Sequence, residues 1–285
     1  MRVVVAGAAG MLGGALTRAL GARGHSVVAL TRADLDIRSL AQCRRALPAS
    51  VDAVVNAAAW VDVDGAESAE GAAFDVNATG AANLAIVSRE VGARLVQVST
   101  DYVFDGFAIS PYAEDAPLRP ISAYGRTKAA GEWAVRAEHP MPVVVRTAWL
   151  YGPGSQNFVA TMAGLAASRE TVDVVDDQRG QPTTTRDVAA YIVQVLESGA
   201  PAGTYHATSE GETTWHGLAR AIFEELALDP DRVRPTKSAA FSRPAPRPAY
   251  SVLGHDHGER LGIVLPHWRD ALSATLADTL EHTRG

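Results

Sequence analysis

The sequence contains a single cysteine, Cys43, so no disulfide can form within the chain. Basic residues are not in excess, because 26 Lys and Arg stand against 32 Asp and Glu, a formal net charge of −6. Nucleic acid and anionic membranes are therefore not expected as partners. No apolar run reaches the ~18 residues of a membrane span, and the apolar N-terminal stretch is too short for a signal peptide. We expect a cytoplasmic protein.

Through the first 150 residues, apolar segments rich in β-branched residues alternate with alanine-rich stretches of helical spacing. This alternation is typical of a parallel sheet covered on both faces. The sequence therefore predicts an α/β fold with a Rossmann-type doubly wound parallel sheet. Strands are predicted at Arg2–Ala6, Ser26–Leu30, Ala53–Asn56, Arg94–Ser99 and Pro142–Arg146, and helices at Met11–Leu20, Leu40–Leu47, Ala66–Arg89 and Tyr124–Ala137.

The alternation of apolar segments and helical stretches becomes less regular after residue 150, which predicts a second, smaller unit. Residues 1–150 are predicted to form an NAD(P)-binding domain, to which residues 183–207 return. Residues 151–182 and 208–285 are predicted to form a mixed C-terminal lobe that binds the substrate. Prolines exclude a helix interior from residues 239–248. Trp215 and Trp268 fall at helical positions, which favours the core over a cofactor site.

A glycine-rich loop, with Gly7, Gly10 and Gly13 spaced three apart, follows the first predicted strand and opens the first predicted helix. The tight turn needs a residue that tolerates positive φ, and close approach to a pyrophosphate excludes a Cβ. Free N–H groups and partial positive charge at a helix N-terminus attract phosphates. The strand–loop–helix context therefore predicts that these glycines bind a dinucleotide.

The end of the second predicted strand bears on the choice of cofactor. An acid at this position bonds the adenosine 2′-hydroxyl of NAD, whereas an arginine accommodates the 2′-phosphate of NADP. Thr31 and Arg32 stand here, which favours NADPH and leaves NADH open. Asp36 and Ile37 follow at a distance that suits the adenine, and small residues such as Ala58 after the third strand leave room for the cofactor.

Three polar residues have the order and spacing of a catalytic set. Tyr124 and Lys128 lie four residues apart on a predicted helix, which places them on one face. The lysine ammonium is expected to lower the pKa of the phenol and to bind the nicotinamide ribose. Thr100, with Ser99 as the competing candidate, ends a strand upstream and is expected to donate a hydrogen bond to a substrate carbonyl.

Longer segments carry a family resemblance. They read VVNAAAWVDVDGAE at 54–67, VNATGAANLA at 76–85, VSTDYVFDG at 98–106, RTAWLYG at 146–152, VVDDQRGQPT at 174–183 and RPAPRPAYSVL at 243–253. Together with the glycine loop and the Tyr/Lys helix, they make the chain resemble the extended short-chain dehydrogenases/reductases. Within that superfamily, it resembles the dTDP-4-dehydrorhamnose reductase family along nearly its whole length.

The resemblance implies NADPH-dependent reduction of the C4 keto group of dTDP-4-dehydro-6-deoxy-L-mannose to dTDP-L-rhamnose, for cell-surface polysaccharide synthesis. It implies a catalytic triad of Thr100, Tyr124 and Lys128. Cofactor contacts are implied for Gly10, Met11, Leu12, Asp36, Ile37, Ala59, Trp60, Val61 and Val98, and substrate contacts for Thr100, Asp101, Trp149, Asn157, Gln178 and Arg247. Some relatives form a magnesium-linked homodimer through an acid whose position here is Ala15. Neither the metal nor that dimer is therefore implied.

Three other functions share parts of this pattern. A nucleotide-sugar epimerase uses the same loop and Tyr/Lys pair, although Arg32 and the segment 98–106 weigh against it. A 4-ketoreductase of an antibiotic deoxysugar pathway uses the same machinery, and sequence barely separates it. A non-catalytic cofactor-binding regulatory subunit is disfavoured because Thr100, Tyr124 and Lys128 are all present.

Overall fold

A six-stranded parallel sheet forms the centre of the computed structural model, which describes residues 1–281. The strands are β1 (Arg2–Ala6), β2 (Ser26–Leu30), β3 (Ala53–Asn56), β4 (Arg94–Thr100), β5 (Val143–Thr147), β6 (Leu150–Tyr151), β7 (Val172–Val175), β8 (Arg179–Gly180), β9 (Thr183–Thr184), β10 (Gly203–His206), β11 (Thr213–Thr214) and β12 (Val233–Thr236). The helices are α1 (Met11–Ala22), α2 (Leu40–Ala46), α3 (Val63–Ser68), α4 (Glu70–Phe74), α5 (Gly80–Glu90), α6 (Ala123–Glu138), α7 (Phe158–Ser168), α8 (Thr185–Glu197), α9 (Trp215–Glu225), α10 (Asp256–Arg260) and α11 (Trp268–Glu281).

The central sheet has the strand order β10-β5-β4-β3-β1-β2, and all its neighbours are parallel. Successive side chains of β1 enter opposite cores, since Val3 and Val5 pack with α1 and α8 while Val4 packs with α2 and α5. The predicted doubly wound, Rossmann-type fold is thereby confirmed. The chain leaves β1 for β2 on one side and continues in β3 on the other. Ligands of such folds bind at this switch point, beyond the carboxyl ends of the strands.

The helix predicted at Ala66–Arg89 is wrong as a single element. The chain breaks at Ala69 (φ −135°, ψ 41°), and a π-helical turn over Asp75–Thr79 separates α4 from α5. Within this turn the Asn77 amide binds both the N–H and the carbonyl of Trp60, and Nδ2 also donates to Thr127 on α6. The alanine-rich spacing predicts a continuous helix. It does not predict the π-helical turn, because that turn contains a side chain whose hydrogen-bond partners lie on two other segments.

Residues 183–207 join the central sheet rather than the second unit. The helix α8 packs against α1, and β10 extends the sheet beside β5. The chain between Leu150 and Thr184 leaves the sheet and returns, and β6 pairs with β9 at the crossing point.

The helix α10 packs against β10, and Ile263 and Leu265 after it join the core of the central sheet. The helices α7, α9 and α11 form, with short strands, the smaller C-terminal lobe. Its strand pairs are β7 with β12 and β8 with β11, and its core is formed mainly by Tyr151, Val159, Leu218, Ile222, Phe223 and Leu272. The strand β12 was not predicted, because Pro235 and charged neighbours hide it in the sequence. Within residues 1–281, no helix combines the length and apolar character needed to cross a membrane.

Candidate active site

A cavity of about 750 Å³ opens at the carboxyl ends of β1, β3 and β4 and reaches the C-terminal lobe. The structure brings most of the predicted site residues together in its wall. They are Gly7, Gly10, Met11, Leu12, Gly13, Arg32, Asp36, Ile37, Ala58, Ala59, Trp60, Val61, Val98, Thr100, Asp101, Tyr124, Lys128 and Trp149. Four predicted residues do not line it, namely Thr31, Asn157, Gln178 and Arg247.

The glycine loop occupies the end of the cavity next to β1. Gly7 has φ +80°, and a Cβ there would lie 2.6 Å from the backbone nitrogen of Ala58. A Cβ on Gly13 would collide with the carbonyl oxygen of Gly7. Gly10 is different, because a Cβ there would meet only that oxygen, at 3.3 Å. Two of the glycines are therefore required by packing, and Gly10 leaves the cavity side of the loop open.

The helix α1 begins at this loop without a side-chain cap at Gly10 and without an acid in its first turn. Its first N–H groups have no partner within the helix. Uncapped N–H groups at the positive end of a twelve-residue helix suit an anionic group such as a pyrophosphate.

Small and aromatic residues after β3 form the middle of the cavity. Ala58 and Ala59 line it without large side chains, and Trp60 follows. The Asn77 amide holds Trp60 at both its N–H (2.9 Å) and its carbonyl (3.1 Å), while the Trp60 indole donates to the Asp62 carbonyl. The π-helical turn thus fixes one wall of the site.

The hydroxyl groups at the end of β4 face different partners. Ser99 donates to buried Glu132 at 2.6 Å, whereas Thr100 donates to Asp101 Oδ1 at 2.9 Å. Because Glu132 already binds the Ser99 hydroxyl, the geometry favours Thr100 over Ser99 as the group that meets a substrate. Burial raises the pKa of Asp101 to about 6, against the hydrogen bonds from Ser251 and Thr100 that lower it.

Tyr124 lies on the first turn of α6 and contacts the end of β4. Its phenol lies beside the Thr100 hydroxyl, and its ring meets that of Tyr102 edge-on with centroids 5.6 Å apart. Burial raises the pKa of Tyr124 above its ordinary value, and the neighbouring Thr100 hydroxyl opposes the shift. Desolvation of the phenol sets the direction of this shift, and the expected lowering of the pKa by Lys128 stays a prediction. The phenol is therefore protonated at neutral pH, as a proton donor requires.

Lys128 lies one turn further along α6 and is only 4% exposed. Its ammonium donates to the Val98 carbonyl at 2.7 Å. Burial lowers the pKa of Lys128 to about 8, although Glu132 opposes this. Glu132 itself is paired with buried Arg146 through Nε–Oε1 (2.8 Å) and Nη2–Oε2 (2.9 Å). This buried pair fixes the middle of α6 against β5 behind the two predicted catalytic residues.

At the lobe side, Trp149 has φ +46°, in the region that favours glycine. Its ring stacks on Trp215 with centroids 3.6 Å apart and planes 4° apart. Gly180 lies against the edge of Trp149, where a Cβ would come within 2.5 Å of Cε2. Trp215 packs against the core of the C-terminal lobe, as predicted, and it also lines the cavity beside Trp149. Helical spacing shows that a residue faces inward, but not that a ligand cavity lies there.

The four predicted residues outside the cavity wall have partners within the protein. Thr31 donates to Asp34 through its N–H and its hydroxyl. Asn157 caps α7 by accepting from Ala160, and Gln178 accepts from the Trp215 indole at 3.1 Å. Arg247 forms two bonds to Asp64, Nη1–Oδ1 at 2.8 Å and Nη2–Oδ2 at 2.9 Å.

The structure also adds residues that were not predicted, above all Arg38 and Trp215 in the cavity wall. The part of the chain that the structure describes contains no group of three or more His, Cys, Asp and Glu side chains that could hold a metal ion. Ala15 is buried in the core between α1 and the sheet.

Known proteins resemble this chain in both sequence and structure. The family described as the RmlD substrate binding domain matches residues 1–281. A dTDP-4-dehydrorhamnose reductase of Streptomyces griseus is 51% identical over 279 residues, which cover 95% of this chain and 92% of that protein. A dTDP-4-keto-6-deoxy-D-glucose reductase of Streptomyces niveus is 50% identical, with 95% of both chains covered. The crystal structure of a dTDP-4-dehydrorhamnose reductase from Bacillus anthracis in complex with NADP superposes with a TM-score of 0.93 at 35% identity, covering 98% of this chain and 99% of that one.

Proposed function

The chain belongs to the RmlD substrate-binding-domain family, and we propose that it is an NADPH-dependent reductase of a dTDP-linked 4-keto-6-deoxyhexose. The proposed reaction converts dTDP-4-dehydro-6-deoxy-L-mannose to dTDP-L-rhamnose. The names of the relatives that are 51% and 50% identical support a dTDP-4-keto sugar as substrate. The NADP bound to the Bacillus anthracis relative supports the cofactor. The predicted family resemblance is confirmed by the match over residues 1–281.

One observation carries the proposal. Thr100, Tyr124 and Lys128 converge on the same cavity as the glycine loop. Thr100 lies beside the Tyr124 phenol, and Lys128 follows one turn along the same helix. These positions support a proton donor at the carboxyl end of β4, in the crevice where doubly wound folds bind their ligands. If Tyr124 and Lys128 only formed part of a structural helix face, they would not need to line one cavity together with Thr100.

The residues of the cavity suit a nicotinamide dinucleotide. The uncapped start of α1 offers N–H groups to the pyrophosphate, and Gly10, Ala58 and Ala59 leave space beside it. Arg32, Asp36 and Ile37 line the adenosine end of the cavity. When bound, NADPH supplies the hydride that reduces the C4 carbon of the sugar.

The protein's own groups handle the proton. Tyr124 gives its phenolic proton to the C4 carbonyl oxygen, which becomes the hydroxyl of the product. Thr100 donates a hydrogen bond to the same oxygen in place of the bond it gives Asp101. The Lys128 ammonium stabilises the phenolate left on Tyr124 and binds the nicotinamide ribose. General acid catalysis of this kind contributes on the order of 10²–10⁴ in rate.

The test is NADPH oxidation by the purified protein with dTDP-4-keto-L-rhamnose generated in situ, followed at the nicotinamide absorbance. NADH and the matching UDP-sugar are measured in parallel. We expect rapid oxidation with NADPH and the dTDP-sugar. Protein that binds NADPH but oxidises none with any dTDP-4-keto sugar would contradict the proposal.

A second candidate differs only in the sugar. The relative named dTDP-4-keto-6-deoxy-D-glucose reductase is nearly as similar, at 50% identity, as the rhamnose reductase at 51%. The same assay with dTDP-4-keto-6-deoxy-D-glucose as substrate distinguishes the two. A higher kcat/KM for this sugar than for the L-sugar would favour the second candidate.

A further inference from the structure

The adenosine end of the cavity is formed by one short stretch, residues 31–38, which we call the specificity segment. Leu35 and Ile37 are buried, at 4% and 5% exposed, and Ile37 packs against Gly80. Asp36 and Arg38 alternate with them and line the cavity together with Arg32. The charged side chains that a cofactor meets at this end are therefore two arginines and one acid.

Of the two acids of the specificity segment, Asp34 does not line the cavity, and Asp36 lines it but is paired within the segment. Asp34 accepts from the Thr31 N–H at 2.9 Å and from its hydroxyl at 2.7 Å. Asp36 accepts from Arg38 through Nε–Oδ1 (2.9 Å), Nη2–Oδ2 (2.6 Å) and the backbone N–H (3.1 Å). The Arg38 guanidinium holds the pKa of Asp36 below its usual range. Asp36 is thus an ionised carboxylate whose oxygens are already occupied.

Arg32 is in the opposite situation. It is exposed and, within residues 1–281, forms no hydrogen bond or salt bridge. An acid at this end of a dinucleotide site selects the 2′-hydroxyl of NAD, and an arginine accommodates the 2′-phosphate of NADP. Because Asp36 is paired with Arg38 and Arg32 has no such partner, the charged groups that the specificity segment presents to the cavity are cationic donors and one carboxylate that is already paired.

We propose that Arg38 sets the cofactor preference of this chain. By holding Asp36 it removes the acceptor that would select NADH, and with Arg32 it binds the 2′-phosphate of NADPH. This inference rests on the proposed function, since it places a nicotinamide cofactor in the cavity.

The pair is suited to substitution because the fold does not depend on it. The Arg38 and Asp36 side chains are 43% and 32% exposed, and exposed ion pairs contribute little to stability. The backbone of the segment is held by other contacts, notably the Asp36 N–H donating to Gln42 at 3.0 Å and the burial of Ile37.

The experiment measures binding of NADP⁺ and NAD⁺ to the purified protein by isothermal titration calorimetry. The wild-type chain is expected to bind NADP⁺ more tightly than NAD⁺. For Arg38→Ala we expect NADP⁺ binding to weaken about 10- to 100-fold, the usual effect of losing charge-assisted hydrogen bonds. NAD⁺ binding should be kept or become tighter, because Asp36 is released to accept from the 2′-hydroxyl.

Two further variants separate the parts of the proposal. Asp36→Ala/Arg38→Ala should regain part of the NADP⁺ affinity lost in Arg38→Ala and lose any gain in NAD⁺ affinity. Arg44→Ala is the matched control, because Arg44 pairs with Glu90 in the same two-bond geometry (2.6 and 3.0 Å) away from the cavity wall. It should leave both affinities unchanged.

Equal weakening of both nucleotides in Arg38→Ala, and again in Arg38→Gln, would overturn the inference and leave the proposed function standing. Unchanged NADP⁺ binding in these variants, or a wild-type preference for NAD⁺, would overturn it as well. A wild-type protein that binds neither nucleotide would overturn the proposed function together with the inference.

Discussion

The cofactor half and the lobe half of the cavity are built in different ways. In the cofactor half, the decisive residues lie in short stretches that follow a strand, such as Gly7–Gly13 after β1 and Ala57–Trp60 after β3. In the lobe half, Trp149 is placed by Trp215 and Gly180, which lie more than thirty residues apart in the sequence. One half is therefore formed by local backbone geometry, and the other by contacts between distant segments.

The two halves of the cavity also differ in the contacts that support their side chains. Lys128 and Tyr124 share a helix that the buried Glu132–Arg146 pair anchors to β5. Trp149 instead stacks on Trp215, whose indole donates to Gln178 and whose ring contacts Phe158. We therefore expect substitutions in the first half to affect the chemical step, and those in the second to affect substrate binding.

The largest effect is expected from Tyr124→Phe, which removes the proton donor and keeps the ring. Turnover should fall by about 10²- to 10⁴-fold, the usual contribution of a general acid. NADPH binding, measured by calorimetry, should be retained. Tyr102→Phe is the control, because its ring packs on Tyr124 in the same cavity and it should keep most of its activity. Near-normal turnover of Tyr124→Phe would show that another group supplies the proton.

A smaller effect is expected from Trp215→Ala, which leaves Trp149 without its stacking partner. A stacked aromatic pair is worth about 0.5–1.5 kcal/mol beyond its buried area, so KM for the sugar nucleotide should rise about 3- to 10-fold with kcat changed less. The exciton signal of the Trp149–Trp215 pair in circular dichroism should disappear, and Trp215→Phe should recover part of KM.

Trp268→Ala is the matched control for this variant, since Trp268 packs in the same core of the C-terminal lobe but does not line the cavity. It should lower stability and leave KM unchanged. A loss of kcat in Trp215→Ala with unchanged KM would break the distinction between the two halves.

These expectations separate what could be predicted from the sequence and what could not. The glycine loop and the Tyr124/Lys128 helix were predictable because each is read from neighbours within one turn or one strand–loop–helix unit. The direction of the Tyr124 pKa was not predictable, because desolvation by the assembled site dominates it. The π-helical turn over Asp75–Thr79 was not predictable either, because the partners of Asn77 lie on Trp60 and on α6.

The lobe half was harder to predict for the same reason. Gln178, Asn157 and Arg247 were predicted to contact the substrate, and that remains a prediction. In the structure they bind the Trp215 indole, the first turn of α7 and Asp64. Only the folded chain brings Asp64 and Arg247 together across more than 180 residues of sequence.

The smallest effect is expected in the stability of Asp101→Asn. The raised pKa of about 6 means that the folded chain keeps a proton that the unfolded chain releases from about pH 4. The carboxylate therefore destabilises the fold increasingly up to pH 6, and constantly above it. Asp101→Asn removes this cost, so its gain in free energy of unfolding over wild type should be about 1 kcal/mol larger at pH 8 than at pH 5.

Asp105→Asn is the control, because its expected effect on stability has the opposite sign. A hydrogen bond from Tyr112 lowers the pKa of Asp105, so its carboxylate stabilises the fold above the unfolded pKa, and this contribution is lost as the pH falls. Asp105→Asn should therefore lower the free energy of unfolding at pH 8. Chemical denaturation at pH 5 and pH 8 measures this free energy for both variants. An Asp101→Asn gain that is the same at pH 5 and pH 8 would show that burial does not shift this carboxyl group.

The most direct test of the account is to follow the hydride itself. The protein is supplied with NADPH deuterated at both positions of nicotinamide C4 and with dTDP-4-keto-L-rhamnose, and the product is examined by NMR. We predict one deuterium at C4 of the sugar and a hydroxyl group on that carbon. Consumption of NADPH with no deuterium in the sugar, or with deuterium at another carbon, would contradict the account.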